Sequence, residues 1–199
     1  MIHQFDHRWG EPRYWVDEAE GRRALLGKTP DTGQKLDYQG YRLGHRSIAS
    51  STNERTIIAA VLPPFCFCGN SLHCSTGDLP AVPTVIAVAL LNSFVFDYSL
   101  RLRVSANLTM FYIYQTPVPR LTPSDRWYRG VVERAARLTC TTAEFDDLTR
   151  EAGLRSHEDG ATDPRERARL RAELDAIVAH IYGLTEDEFA HILDAFPLV

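Results

Sequence analysis

The sequence predicts an α+β fold, in which a small mixed sheet packs with a buried helix and a helical C-terminal segment follows. Short β-rich runs, bounded by Pro and Gly, occur between residues 40 and 122. The stretch from Pro83 to Arg103 is apolar on nearly every helical face, as in a helix that is buried on most sides. Residues 123–199 show repeated helix-start signals and amphipathic spacing. We therefore expect a domain over 1–122 and a helical tail over 123–199.

The first domain is expected to begin with an irregular entry over residues 1–39. Within it, DEAEGRRALLGK predicts a short helix that ends at Gly27. The following TPDTGQKLDYQG is rich in the Pro, Gly, Asp and Thr of loops.

Four runs carry the strand signals of this domain. They are YRLGHRSIAS, RTIIAAVLPP, FCFCGN and MFYIYQTPVP. The first begins with alternation, the second ends at two prolines, and the third predicts a short strand. The last, from Met110, is β-branched and aromatic, a composition that strands favour, and it stops at Pro117.

The tail is predicted as helices separated by polar caps. The expected N-caps are Ser124, Thr141 or Thr142, Asp163 and Thr185. Glu144 stands near capping-box spacing from Thr141 or Thr142, and Pro164 follows Asp163 at the first helical position. Gly153 and Gly183 are expected to end two of these helices.

Composition indicates an ordinary globular protein. The chain has 199 residues, a formal net charge of −4 and four cysteines, too few for a disulfide scaffold at this length. Neither a signal peptide nor a transmembrane run is recognisable, and a cytoplasmic location is expected. Residues 126–199 hold 10 basic against 15 acidic side chains, whereas residues 40–103 hold 5 against 3. The charge balance is compatible with DNA contact by the first domain only.

VLPPF, at residues 61–65, resembles the catalytic Asn/Asp/Ser-Pro-Pro-aromatic tetrapeptide of amino-group DNA methyltransferases. Its first position is Leu62, whose side chain cannot accept a hydrogen bond from a target amino group. The chain also contains no GxG motif for a cofactor. We therefore expect the two prolines to end a strand, and no catalytic residue is assigned.

Metal sites are weakly supported by the ligand spacing. Cys66, Cys68, His73 and Cys74 lack the two-to-four-residue spacing of paired zinc ligands, and His3 and His7 have no evident third partner. Buried thiols and surface histidines are the simpler interpretation, and no metal site is assigned.

Five collinear segments together carry a resemblance to a known family. They are MIHQFDHRW, YRLGHRSIASSTNERTIIAAVLPP, CGNSLH, ALLNSFVFDYSLRLRVSANLTMFYIYQTPVP and LRAELDAIVAHIYGLTEDEFAHILDAFP. In that order they resemble the C-terminal target-recognition region of type IIG-like adenine-specific DNA methyltransferases of restriction–modification and phage-defence systems. The resemblance implies that the catalytic domain, with its S-adenosylmethionine, is absent from this chain. It also implies an excised domain, a truncated gene or a split subunit.

Two clusters of side chains suit the DNA contacts that this resemblance implies. They are Arg42, His45, Arg46, Ser47, Thr52, Asn53 and Arg55, and then Arg101, Arg103, Ser105 and Asn107. Such side chains bind phosphates or base edges. In the second cluster, Arg101 and Arg103 could instead cap the buried helix.

We therefore expect a non-catalytic module that binds double-stranded DNA beside a methyltransferase or nuclease subunit. One alternative is a protein-interaction fragment without DNA binding of its own. The other is an autonomous enzyme, which would need a deep pocket lined by perturbed ionisable groups.

Overall fold

The computed structural model of the protein describes residues 3–8, 15–50, 53–77, 79–104 and 106–196. Its strands are β1 (Arg42–Arg46), β2 (Ala59–Leu62) and β3 (Leu72–Cys74). Its helices are α1 (Glu18–Leu26), α2 (Ala81–Leu91), α3 (Phe94–Arg101), α4 (Met110–Tyr114), α5 (Tyr128–Thr139), α6 (Asp146–Glu151), α7 (Pro164–Ile181) and α8 (Glu186–Asp194). The predicted α+β class is confirmed.

The sheet has β1 in the centre, between β2 and β3. Both pairings are antiparallel, whereas a mixed sheet was expected. In the register, Gly44 lies opposite Ala60 of β2 on one side and Cys74 of β3 on the other. All four residues of β2 are buried, which accounts for the continuous apolar run of the sequence.

Two of the expected strands have another structure. FCFCGN forms no strand, and the third strand is Leu72–Cys74 instead. MFYIYQ contains the short helix α4, whose Tyr112 and Ile113 pack against a buried cluster while Phe111 and Tyr114 are exposed. Packing of one helical face here outweighs the strand preference of β-branched and aromatic residues.

The apolar stretch from Pro83 to Arg103 forms two helices rather than one. α2 and α3 are bent by 59° at their junction. There the Asn92 side chain bonds both backbone groups of Ala59 in β2, at 2.9 Å each, and the Ser93 hydroxyl accepts from the Phe96 amide at 3.3 Å. The break therefore docks the helix pair onto the sheet and provides the N-cap of α3.

The main hydrophobic cluster is continuous across the boundary expected at residue 122. It contains Val85 and Leu90 of α2 together with Val131 of α5 and Leu170 of α7. A second cluster lies between the sheet and α3 and includes Phe96. Within the described ranges no single helix is long and apolar enough to cross a membrane, although bent α2–α3 meets the length and composition as a pair. Both helices contribute buried residues to these clusters.

Several predicted caps are confirmed. Asp163 accepts from the Arg165 and Glu166 amides at 3.0 and 2.9 Å, and Thr185 forms a capping box with Glu188. Gly27, Gly153 and Gly183 follow α1, α6 and α7 with positive φ. The expected Ser124 cap is wrong, because α5 begins later, at Tyr128, with Trp127 in the N-cap position.

Candidate nucleic-acid interface

Strand geometry buries the first of the predicted DNA contacts, Arg42. This residue is 7% exposed, and its Nη2 donates to the Cys66 carbonyl and lies 3.9 Å from the Cys68 sulfur. The Arg42 side chain therefore faces the loop after β2 and stabilises it through these contacts with Cys66 and Cys68.

His45 is also an interior residue, only 1% exposed. Its Nε2 lies 3.3 Å from the Met110 sulfur, and its ring meets His73 edge to face at 5.1 Å between centroids. Burial lowers the pKa of His45 to about 4. The imidazole is consequently neutral near pH 7 and offers no positive charge to a phosphate.

Arg55 forms a buried ion pair instead of facing solvent. Its Nε is 3.0 Å from an oxygen of Asp97, and its guanidinium lies over the Phe94 ring at 3.9 Å from the centroid. It also donates to the Asn92 carbonyl. Arg55 thus connects the start of β2 to α3 through charge, hydrogen bonds and cation–π contact.

Arg101 links α3 to the end of α8. Its Nη1 donates to the Ala195 carbonyl at 2.9 Å, and its Nη2 donates to the carbonyls of Asn53 and Glu54. The guanidinium also lies 4.1 Å from the Phe196 ring centroid. Capping by an arginine was anticipated here, but the helix end that Arg101 satisfies belongs to α8.

Arg103 is exposed and keeps part of the capping role. Its Nε donates to the Ser99 carbonyl in the last turn of α3 at 2.9 Å, and its Nη2 donates to the Thr116 hydroxyl just after α4. Asn107 is exposed, whereas Arg46, Ser47 and Asn53 are half-buried. Thr52 and Ser105 lie outside the described residues.

A short backbone ladder joins the two predicted clusters at their ends. Ile48 and Asn107 form an antiparallel bridge, flanked by hydrogen bonds from Ala49 to the Ala106 carbonyl at 3.1 Å and from Leu108 to the Ser47 carbonyl at 2.8 Å. The ladder therefore places the end of β1 beside the chain between α3 and α4.

We give the name bridge face to a set of side chains on the two segments that this ladder joins. Its members are Arg46, Ile48, Arg103, Asn107, Phe111 and Tyr114. Arg46 belongs to it because its Nε donates to the Ile48 carbonyl at 2.8 Å. Arg103 belongs to it because its bond to Thr116 fixes it against α4.

The exposed apolar side chains of the bridge face were missed in the sequence. Ile48, Phe111 and Tyr114 are 61%, 62% and 79% exposed. Once MFYIY is recognised as a helix, the i, i+3 spacing of Phe111 and Tyr114 places them on one side, opposite the packed Tyr112 and Ile113. This spacing was not recognised because the stretch was predicted to be a strand.

The two segments that supply the bridge face carry no acidic side chain. Residues 38–53 and 98–124, which supply all its members, contain five arginines and not one Asp or Glu. Three of these arginines are Arg42, Arg101 and Arg120, and the other two, Arg46 and Arg103, belong to the face itself. An approaching polyanion therefore meets no carboxylate from either segment.

VLPPF ends β2, as expected. Leu62 is 3% exposed and is the last residue of that strand. Phe65 is 66% exposed with a φ of 62°, and its amide donates to the Tyr38 carbonyl at 2.7 Å. The aromatic ring is thus held outward by a strained backbone. No polar side chain stands at the first position of the tetrapeptide.

Other ionisable groups form no evident metal centre. Among the described residues, no group of three or more His, Cys, Asp or Glu side chains is arranged to hold a metal ion. A groove of about 700 Å³ separates the loops of the sheet from α6, and Asp147 and Arg150, which line it, pair with each other.

Comparison with known proteins returns no matching family model, no matching curated protein and no matching solved structure.

Proposed function

We propose that the protein is a DNA target-recognition module of an adenine-specific DNA methyltransferase system of the restriction–modification or phage-defence type. It binds double-stranded DNA and transfers no methyl group alone. S-adenosylmethionine and the catalytic residues belong to a separate methyltransferase domain or subunit. The observation that carries the proposal is the bridge face, which combines exposed Arg, Asn and aromatic side chains on two segments without a carboxylate.

The bridge face has the chemistry that duplex recognition needs. Within the described part of the chain, Arg46 uses only its Nε in a hydrogen bond, so its terminal nitrogens can reach a phosphate. The Asn107 amide offers the donor and acceptor that pair with the adenine edge in a major groove. Phe111 and Tyr114 supply exposed rings for apolar or stacking contact with bases.

The helical tail has a supporting role in this proposal. α5 packs on α2 and α7 packs on α5, and residues 126–199 carry five more acidic than basic side chains. Negative charge of that size is repelled by a phosphate backbone, so DNA lies on the side of the bridge face. The tail stiffens the recognition fold or contacts a methyltransferase or nuclease subunit.

A second candidate function, protein interaction without DNA binding, is favoured by another surface. Trp15 is 87% exposed and lines a cavity of about 340 Å³ with Val16, Phe65 and Phe67. Exposed aromatic groups of this kind anchor protein interfaces. In that case the partner is the methyltransferase or nuclease subunit, and removal of Trp15 rather than of the bridge-face arginines weakens the complex.

The two functions are separated by a DNA titration. Arg46→Ala and Arg103→Ala each remove one cation of the bridge face, and the matched control is Arg165→Ala on the exposed start of α7. Fluorescence anisotropy with a labelled duplex at low and moderate salt measures affinity and its salt slope. DNA recognition predicts weaker binding for the first two variants and a slope smaller by about one for each lost phosphate contact.

Arg42→Ala is unsuitable for this test because Arg42 is buried against Cys66 and Cys68. Its removal would confuse loss of DNA contact with loss of structure. Circular dichroism on every variant confirms that a change in affinity is not unfolding. A wild-type chain that is folded and binds no duplex at low salt would refute DNA recognition.

A further inference from the structure

A cavity of about 480 Å³ lies between β1, β3 and the loop that precedes β3. It contains two cysteines and a buried cation. Cys68, Cys74 and Arg42 all line it. Pairing of β1 with β3 fixes Cys74 opposite Gly44, two residues from Arg42. The hydrogen bond from the Leu72 amide to the Gly69 carbonyl, at 3.1 Å, turns the chain between the two cysteines. Both thiols are half-buried, so a small reagent can reach them.

Arg42 has an unused donor in this cavity. Its side chain reaches the Cys66 carbonyl and the Cys68 sulfur through Nη2, but its buried Nε has no partner. A buried guanidinium with a donor left over is costly unless an anion compensates it. The Cys68 thiol, which can become an anion, lies 3.9 Å from Nη2.

The two thiols are electrostatically unequal. The neighbouring Cys74 thiol lowers the pKa of Cys68 to about 6, against the effect of burial, and the Arg42 charge lowers it further. The neighbouring Cys68 and burial raise the pKa of Cys74. Two charged residues before β1, Lys35 and Asp37, also line the cavity. Cys66 lies on the same loop as Cys68, and burial raises the pKa of its thiol. One thiolate is thus paired with one thiol.

We propose that Cys68 and Cys74 form a peroxide-sensitive dithiol site, in which Cys68 is the nucleophile and Cys74 resolves it into a disulfide. The Cys68 thiolate attacks one oxygen of hydrogen peroxide, breaks the O–O bond and becomes a sulfenic acid, while the leaving hydroxide takes a proton to form water. The Cys74 sulfur then attacks the Cys68 sulfur and expels hydroxide, which leaves as water with the Cys74 proton. Two thiols are oxidised to one disulfide, and one peroxide is reduced to two waters.

Arg42 is a positioning residue in this site. Its charge favours the thiolate over the thiol, as cationic neighbours do for reactive cysteines generally. The disulfide that forms is neutral and leaves Arg42 without its anion. The site is independent of the bridge face, and its test needs no DNA.

Oxidation of the intact, reduced chain with hydrogen peroxide at pH 7 tests the proposal by mass spectrometry. The expected result is a loss of two hydrogens per chain and a crosslinked peptide joining Cys68 to Cys74. Cys68→Ser abolishes the crosslink, while Cys74→Ser leaves a sulfenic acid at Cys68 that dimedone traps. The absence of a Cys68–Cys74 crosslink in the oxidised wild type, or a Cys68 that dimedone labels no more than Cys66 in Cys74→Ser, overturns the proposal.

The pH dependence of alkylation separates reactivity from mere exposure. Iodoacetamide should modify Cys68 with a half-maximal rate near pH 6, and Cys66 only at markedly higher pH. Cys74→Ala, which removes the donor, moves the Cys68 midpoint upward, and Cys74→Ser, which keeps a hydroxyl donor, moves it less. Equal midpoints for Cys68 and Cys66 in the folded wild-type chain contradict the assignment.

Discussion

Arg55 and Asp97 form an ion pair at 3.0 Å in the interior of the protein, where the Asp97 side chain is fully buried. Both Asp97 oxygens also accept from the Thr56 amide, at 3.0 and 3.1 Å. Burial raises the pKa of Asp97, and the charge of Arg55 opposes that rise. A residue that suits DNA by type is therefore a structural connection between the start of β2 and α3.

Asp97→Ala should lower the free energy of unfolding by about 3–5 kcal/mol, because it leaves the Arg55 charge buried and unpaired. Asp97→Asn keeps one oxygen acceptor for the Thr56 amide and should lose less. Urea unfolding followed by circular dichroism measures both. The control is Asp147→Ala, which breaks the exposed pair with Arg150 and should cost at most about 1 kcal/mol. Equal losses at the two sites would contradict the structural role of the buried pair.

Asp175 should make stability depend on pH. Burial raises its pKa to about 6, while its oxygen accepts from the Phe94 amide at 2.8 Å. The nearby charges are Arg55, Arg171 and Asp97. Because the folded state retains a proton that the unfolded state has lost, the contribution of Asp175 to the free energy of unfolding falls between about pH 4 and pH 6.

Asp175→Asn cannot ionise and keeps the acceptor for Phe94. Its free energy of unfolding should match that of the wild type at pH 4 and exceed it at pH 8 by about 3 kcal/mol, since one pKa unit is about 1.4 kcal/mol. Urea titrations of both proteins at the two pH values measure this difference. A variant that is less stable than the wild type at pH 8 would show that the carboxylate itself stabilises the fold.

Gly160 is required by a close backbone approach. A Cβ at this position would lie 2.2 Å from the Cys140 carbonyl oxygen and 2.8 Å from that of His157. Gly160→Ala should therefore lower the free energy of unfolding by about 1–3 kcal/mol, as overpacking does. A Cβ at Gly69 would meet nothing within 4 Å, so Gly69→Ala is the control and should change thermal stability little. Similar melting temperatures for both variants would contradict the contact.

The Thr185–Glu188 capping box should contribute measurably to stability. Thr185 Oγ1 accepts from the Glu188 amide at 3.3 Å, and a Glu188 oxygen accepts from the Thr185 amide at 2.8 Å. Thr185→Ala should cost about 1 kcal/mol, whereas Thr185→Ser keeps the oxygen and should cost less. Thermal unfolding of the two variants distinguishes them, and an alanine variant as stable as the serine variant would count against the cap.

The elements that the sequence predicted well depend on local chemistry. Asp163 and Thr185 cap helices through residues two or three positions away, so their pattern is visible along the chain. The break at Asn92 is different, because its side chain bonds Ala59, 33 positions earlier. Such a partner is set by the packing of α2 on the sheet and cannot be read from nearby residues.

The candidate site was harder to predict for a chemical reason. The guanidinium that binds a phosphate equally well donates to backbone carbonyls, as Arg101 does to Ala195, or to a carboxylate, as Arg55 does to Asp97. Residue type alone cannot distinguish these uses. The structure distinguishes Arg46 and Arg103, which belong to the bridge face although each also makes internal bonds, from Arg42, Arg55 and Arg101, which bond the interior of the fold.

The most direct measurement is duplex DNA affinity of the intact chain at low salt, for the wild type, the Arg46→Ala/Arg103→Ala double variant and Arg165→Ala. DNA recognition through the bridge face predicts that the wild type and Arg165→Ala bind alike. The double variant should bind severalfold more weakly, with a salt slope reduced by about two. Equal binding by all three folded proteins, or no binding by any of them, would contradict DNA recognition through the bridge face.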